Sequence, residues 1–549
     1  MGADIVIRGG LVVDGSGEPG YPADVAITDG RISAIGEGLE GERVIDATGQ
    51  VVAPGFIDIH THFDAQVFWD PALTPSCYHG VTTVVGGNCG FSIAPTRPEH
   101  HSTIARTLEG VEDMNVDTLN EGIPWDFESF PEYLSSVASH GTALNYTAYI
   151  GHTALRLFVM GDAAYERAAT DAEIEEMAGV VTAAVEAGAP GFATSFAPTH
   201  VGVEGKPIPS RFAERKEIEA LCFAVAKAGK GVCHFAPGDN ISIPELYELQ
   251  PRVGRPFTYG ALLTFPGFRD LVALNDRGHA NGADVWPQVS PRPLTFQMNM
   301  EDPFTLNVAG CVAALMSKTR DERIEAYRDP AFRARALEEL GNASMKPRWN
   351  TFAVAESSDE ALVGRKLEDI AAERGVTVLD ALLDIALAED LQTRFHAVLA
   401  NDDVEGVAFL LTRDGVTLGL SDAGAHVGQL CDAPQATDLL GNWVRDRSLM
   451  PVEDAVRRLS GQQADIFGFE GRGYLREGYA ADVVVFDPTT VAPGPIRRVR
   501  DFPANAERLT ADQPTGVTIV IVNGTPIVEH GKLVEEGIAA RPGVRPATV

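Results

Sequence analysis

The chain predicts an α/β fold, a (β/α)8 barrel with a small β domain assembled from its two ends. Three observations lead there. At 549 residues and 45% hydrophobic content the chain can bury one large core and a second, smaller one. Between about residues 55 and 472, short Val/Ile/Phe-rich runs alternate with helical patterns, the signature of repeated βα units around a parallel sheet. Before and after that region the texture changes to apolar/polar alternation punctuated by Gly and Asp.

Taken in order, the first fifty residues read as a small antiparallel sheet: Asp4 to Arg8, Leu11 to Val13, Asp24 to Thr28 and Arg31 to Ile35, separated by glycine turns. The same pattern returns at Ala481 to Asp487 and Thr518 to Val528, so residues 1–54 and 473–549 are expected to pair into one composite domain. The barrel strands are expected at about 55–60, 81–86, 145–151, 191–195, 230–234, 256–260, 283–288 and 416–421. One helix is explicit. Thr170 and Glu173 form a capping-box pair, Ile174, Met177, Val180, Val181, Ala184 and Val185 share a face, and Gly188 stops the helix. The stretch from about 293 to 415 is too long for a connection and predicts a largely helical insertion.

Composition excludes several functions. The 77 acidic against 44 basic residues give a net charge of −33, which opposes binding to nucleic acid or anionic membranes. No stretch reaches the roughly 20 apolar residues of a membrane helix, and the N-terminus lacks a basic segment followed by an apolar one, so a cytoplasmic protein is expected. The six cysteines show no CxxC spacing, which argues against a disulfide framework or a thiolate zinc ribbon. The expected partner is a small-molecule substrate, and the sequence admits a homo-oligomer.

The chemistry begins at Gly55-Phe56-Ile57-Asp58-Ile59-His60-Thr61-His62. Strand residues i and i+2 share a face, so both imidazoles can reach one metal ion at a strand's C-terminal end, the catalytic face of a parallel barrel. Reading only strand ends, His60, His62, Cys89, His152, His200, His234 and Asp422 recur where a barrel converges them. A divalent ion held there lowers the pKa of a water, and a carboxylate beside that water can take its proton. Asp422 fits both roles, ligand and general base.

With these residues in place, the chain resembles the amidohydrolase superfamily and, within it, the N-acyl-D-amino-acid deacylase (D-aminoacylase) group. The resemblance rests on Ala53 to His62, Gly80 to Val85 with Gly87-Asn88-Cys89-Gly90, Tyr149 to His152 through Arg156, and Tyr474 to Pro488. It implies a TIM-like metal-dependent hydrolase barrel joined to a β-sandwich formed by both termini. It also implies zinc, with His60, His62, Cys89, His234 and Asp422 as ligands, and hydrolysis of a C–N amide bond of a small N-acyl compound, such as an N-acyl-D-amino acid. A cyclic amide or imide substrate, as for a hydantoinase or dihydroorotase, is the alternative within the same mechanism, and a non-catalytic scaffold is the competing class.

One departure stands out. Where the deacylases end strand six with a histidine, this chain has Phe257-Thr258-Tyr259-Gly260, so one zinc ion is favoured over two. Tyr259 would then either donate a hydrogen bond to the developing oxyanion or fill the vacated space. His152, Arg156, His200, Ser290 and Arg292 are the substrate-binding candidates.

Overall fold

A computed structural model describes residues 2–202, 206–343 and 346–549. The chain divides into two compact units, residues 1–291 with 405–549, and residues 292–404.

In the first unit, strands from both ends of the chain share a nine-stranded sheet. Val51–Pro54 is the junction: it runs parallel to Ala3–Val12 on one side and antiparallel to Val483–Phe486 on the other. Two hairpins of this sheet turn on Asp29-Gly30 and Asn523-Gly524, whose four residues all have positive φ. That is the type I′ geometry, which matches strand twist and which Asp, Asn and Gly tolerate best.

The same unit carries a succession of parallel strands. Strand one (Phe56–Asp58) pairs with strand two (Val81–Gly86), and strand two with strand three (Asn145–Ala148, continued by Ile150–Gly151). Strand four (Gly191–Ser195), strand five (Val232–Ala236), strand six (Phe257–Tyr259), strand seven (Val285–Val289) and strand eight (Thr417–Leu418) follow in order, each parallel to its predecessor. Just past strands one and eight, Thr61 and Ala423 form a parallel bridge, and the His62 N–H donates to the Ala423 carbonyl at 2.7 Å. The pairing thereby returns to its start. Strands one to six are buried along their whole length, which is why they read as near-continuous apolar runs.

Helices follow the strands. The expected helix is Asp171–Glu186, with the reciprocal Thr170/Glu173 capping box formed and Ile174, Met177, Val181, Ala184 and Val185 buried. No described helix is long and apolar enough to cross a membrane.

The second unit is rich in helices, and it also holds a sheet that the sequence does not suggest. Besides helices such as Arg320–Arg328, Pro330–Asn342 and Val378–Ala388, it holds a three-stranded antiparallel sheet of Leu294–Met298, Arg394–Ala400 and Ala353–Glu356. These strands are short and only partly buried, so their alternation is weak beside the helical stripes around Leu379, Leu382, Leu383 and Ala386. Residues 404–411 form a helix, and from Glu405 onward the chain belongs to the first unit.

Candidate metal centre

Strand parity sets which side chains face inward. On strand five, Cys233 and Phe235 lie in the core that also holds the surrounding helices, so His234 between them points the other way. His60 and His62 follow strand one, Cys89 follows strand two, and Asp422 lies four residues beyond strand eight. Cys89 and Asp422 both adopt left-handed backbone conformations, φ 54° and 44°, uncommon for residues other than glycine.

These five side chains converge. His60 Nε2 lies 3.0 Å from Asp422 Oδ1 and 3.6 Å from Cys89 Sγ. His62 Nε2 is 3.7 Å from the same Asp422 oxygen, and His234 Nε2 is 4.0 Å from Cys89 Sγ. Two overlapping triads can hold a metal ion, His60/Cys89/His234 and His60/His62/Asp422. Donors at zinc bond lengths and tetrahedral angles stand about 3.3–3.6 Å apart, close to the spacing seen.

Each imidazole presents Nε2 to this space because a neighbour holds Nδ1. His60 Nδ1 contacts Gln288 Oε1 at 2.5 Å, His62 Nδ1 lies 3.1 Å from Glu112 Oε1, and His234 Nδ1 contacts Thr258 Oγ1 at 3.0 Å. Such partners fix the ring orientation and tautomer of metal ligands. Ser421 Oγ donates to the His60 carbonyl at 2.9 Å, tying the strand-eight loop to the histidine pair.

The electrostatics suit a cation. Burial alone would lower the His60 pKa, but the Cys89 and Asp422 anions outweigh it and raise it to about 10. His62 is likewise pushed well up against its burial, by Glu112 and Asp422. Burial would raise Asp422 and Cys89, yet the two imidazoles hold both below their usual ranges. His234 is kept neutral, chiefly by burial. Without metal, then, protons on His60 and His62 balance the anions; a divalent ion replaces them. Ligands must be deprotonated, so affinity rises with pH while His60 and His62 are still protonated. Zinc titrated into metal-free protein near pH 7 is expected to release about two protons per ion. Calorimetry in buffers of different ionisation enthalpy measures this, and proton-neutral binding would contradict the charge assignment.

Tyr259 takes neither role expected for it. Thr258 is the inward residue of strand six, so Tyr259 points outward, is fully buried in the core with Leu246, Leu249 and Val272, and sets its hydroxyl beside Tyr247. Burial keeps its phenol well above the usual range. The next inward position is Gly260, where a Cβ would stand 3.4 Å from His60 Cε1. Strand six therefore contributes no metal donor.

His152 and Arg156 also leave the substrate-binding set. His152 begins the helix His152–Met160, its Nδ1 2.8 Å from Thr194 Oγ1 and its Nε2 2.8 Å from Glu217 Oε1. Arg156, on the same helix and fully buried, pairs with the same carboxylate. The trio braces this helix against Arg215–Lys227. Removing one partner of a buried pair strands the other charge, so Glu217→Ala is expected to destabilise the protein by about 3–5 kcal/mol, read from urea unfolding. An unchanged midpoint would contradict that role.

His200 does stay near the cluster. Its Nδ1 contacts Ser195 Oγ at 2.7 Å, its ring meets Phe91 edge-on, and burial lowers its pKa to about 4 within the field of Glu112, His426, His62 and Asp422. Ser290 is buried directly after strand seven. Arg292 opens the second unit, where its carbonyl accepts from Asn401 Nδ2. Gln288, Glu112 and Thr258 were not evident from sequence, although Glu112 falls on the apolar stripe of its helix with Ile104, Leu108 and Val111.

The amidohydrolase family model matches residues 43–528. The chain belongs to the amidohydrolase family. A D-aminoacylase of Alcaligenes xylosoxydans xylosoxydans is 30% identical over 532 residues, covering 95% of this amidohydrolase and 94% of the relative. A crystal structure of D-aminoacylase superposes with TM-score 0.68 at 27% identity, covering 99% of both chains. The N-acyl-D-glutamate deacylase of Bordetella bronchiseptica, solved with zinc and a phosphonate mimic of the tetrahedral intermediate, gives 0.67 at 26% identity and 99% coverage of both. This amidohydrolase is thus a metal-dependent hydrolase of carbon–nitrogen bonds other than peptide bonds, and its cluster of three imidazoles, a thiolate and a carboxylate fits a zinc ion.

Proposed function

We propose that this amidohydrolase removes the acyl group from a small N-acyl compound, an N-acyl-D-amino acid, at a single zinc ion bound through His60, the donor common to the two triads that His62 with Asp422 and Cys89 with His234 complete. The observation that carries this reading is the sharing of His60 Nε2 by both donor triads. An imidazole nitrogen has one lone pair in the ring plane, so it serves one ion. With Gly260 at the inward end of strand six, nothing on that strand completes a second set. The ring of parallel strands then reads as a (β/α)8 barrel over residues 55–472, with its mouth at the strand C-terminal ends. The sheet shared by residues 1–54 and 473–549 reads as the β-sandwich.

A zinc ion bound there would lower the pKa of a bound water and polarise the scissile carbonyl. Asp422 is ionised at neutral pH, with its carboxylate 21% exposed, so it can receive the proton of the attacking water. Once protonated, it can pass that proton on to the leaving amine nitrogen. Glu112 and Thr258 keep His62 and His234 facing inward throughout. His200, neutral and beside the cluster, offers a hydrogen bond to the substrate.

Zinc-loaded protein assayed with a panel of N-acetyl-D-amino acids and their L-enantiomers, with release of free amine as the readout, tests the proposal. Amine release confined to D-substrates supports it. Ring opening of hydantoins without deacylation would move the assignment to a cyclic-amide hydrolase, and loss of both activities despite stoichiometric zinc would defeat it.

A further inference from the structure

We propose that Gln288 is a positioning residue of the metal centre: its carboxamide, seated in a slot left by a glycine on the neighbouring strand end, fixes His60 in the tautomer that ligates. The inference rests on the reading that His60 holds the metal.

Gln288 is a fully buried polar residue within strand seven, Val285–Val289. Its side chain turns inward and brings Oε1 to 2.5 Å from His60 Nδ1, while Nε2 lies 3.4 Å from His234 Nδ1. An amide oxygen only accepts, so the proton of a neutral His60 must sit on Nδ1. The lone pair is then left on Nε2, the atom that faces Cys89 and Asp422. The carboxamide adds no charge to a cluster already holding three anionic groups, Cys89, Asp422 and Glu112.

The surroundings are shaped to this side chain. Gly419, one residue past strand eight, has no room for a Cβ: the atom would stand 2.8 Å from Gln288 Oε1, 2.9 Å from Cδ and 3.0 Å from Cγ. At Gly260 a Cβ would meet the same oxygen at 3.7 Å and His60 Cε1 at 3.4 Å. The slot lies between strands six and eight and the first histidine of the motif, so the carboxamide occupies space beside His60 that a strand-six side chain would otherwise enter.

The test uses the full-length protein stripped of metal, with zinc affinity measured by competition against a chromophoric chelator. Gln288→Leu is expected to weaken zinc binding about 10–100-fold, the cost of losing an outer partner. Zinc-saturated Q288L is expected to lose kcat with KM within about twofold of wild type, because Gln288 touches a ligand and not the substrate. Gln288→Glu keeps an acceptor and is expected to recover most of the lost affinity. Gly419→Ala displaces the carboxamide without changing it and is expected to shift affinity in the same direction; it carries the test should Q288L not fold. Wild-type affinity in Q288L, or no recovery in Q288E, would overturn the proposal while leaving the zinc site standing. Failure of the wild-type protein to bind zinc would overturn both.

Discussion

Asp422→Asn is expected to lower kcat by about 10²–10⁴-fold, the range contributed by a positioned general base. The substitution is nearly isosteric, and Asn tolerates the left-handed backbone at φ 44° as well as Asp does. The bridge from Thr61 to Ala423 and the bond from Ser421 Oγ to the His60 carbonyl do not involve the Asp422 side chain, so the loop keeps its place. What disappears is the acceptor: a carboxamide cannot take a proton from water near neutral pH. It also removes an anion that keeps His60 and His62 protonated in the metal-free protein, so zinc competes with fewer protons and occupancy is expected to persist at saturating zinc. The decisive measurement is kcat and metal content on the same sample. Full occupancy with more than about a tenth of wild-type turnover would exclude Asp422 as the base.

The sequence carried the metal donors because each stands within or shortly after a parallel strand. His60 and His62 share a face by strand periodicity, Cys89 follows an apolar run into glycine, and Asp422 follows the last one. The parallel strands were legible because, buried on both faces, they are Val-, Ile- and Phe-rich runs broken only by small hydroxyl residues, as in Val81–Gly86 and Gly191–Ser195. Parity within a three-residue strand was not legible. In Phe257-Thr258-Tyr259 nothing local states which residues face inward, and a shift of one exchanges the faces, so the position matching the deacylases' histidine does not reveal that Thr258, not Tyr259, adjoins the site. His152 and Arg156 show a related ambiguity. They follow a strand end, but a helix starts at His152 and turns both toward Glu217, a residue over sixty positions away that no local pattern connects to them.

The residues that steer the ligands were hidden differently. Gln288 and Thr258 carry no motif, because an amide or hydroxyl in a strand more often satisfies the backbone than a histidine. Glu112 left a trace. It is buried in the last turn of the helix His101–Glu112, where the helix dipole disfavours a carboxylate, so something else must hold it there. Burial would raise its pKa, but His62 keeps it below the usual range. A carboxylate on an apolar stripe at a helix C-terminus is therefore a usable sign of a buried cationic partner.

Replacing His60 by Ala is expected to abolish zinc binding, whereas Cys89→Ala and His62→Ala each leave one triad to grip the ion more weakly. The asymmetry follows from the geometry: His60 Nε2 belongs to both triads, Cys89 to one and His62 to the other. Loss of His60 leaves His62 with Asp422 on one side and Cys89 with His234 on the other, and a pair of donors does not hold zinc through dialysis. The loss in affinity is expected to exceed the about 10–100-fold cost of removing an outer partner. Activity is expected to vanish with the metal and not return on adding excess zinc. Elemental analysis of dialysed variants decides it: stoichiometric zinc in His60→Ala would mean that the remaining donors hold the ion without His60, and that the reading of one ion anchored on His60 is wrong.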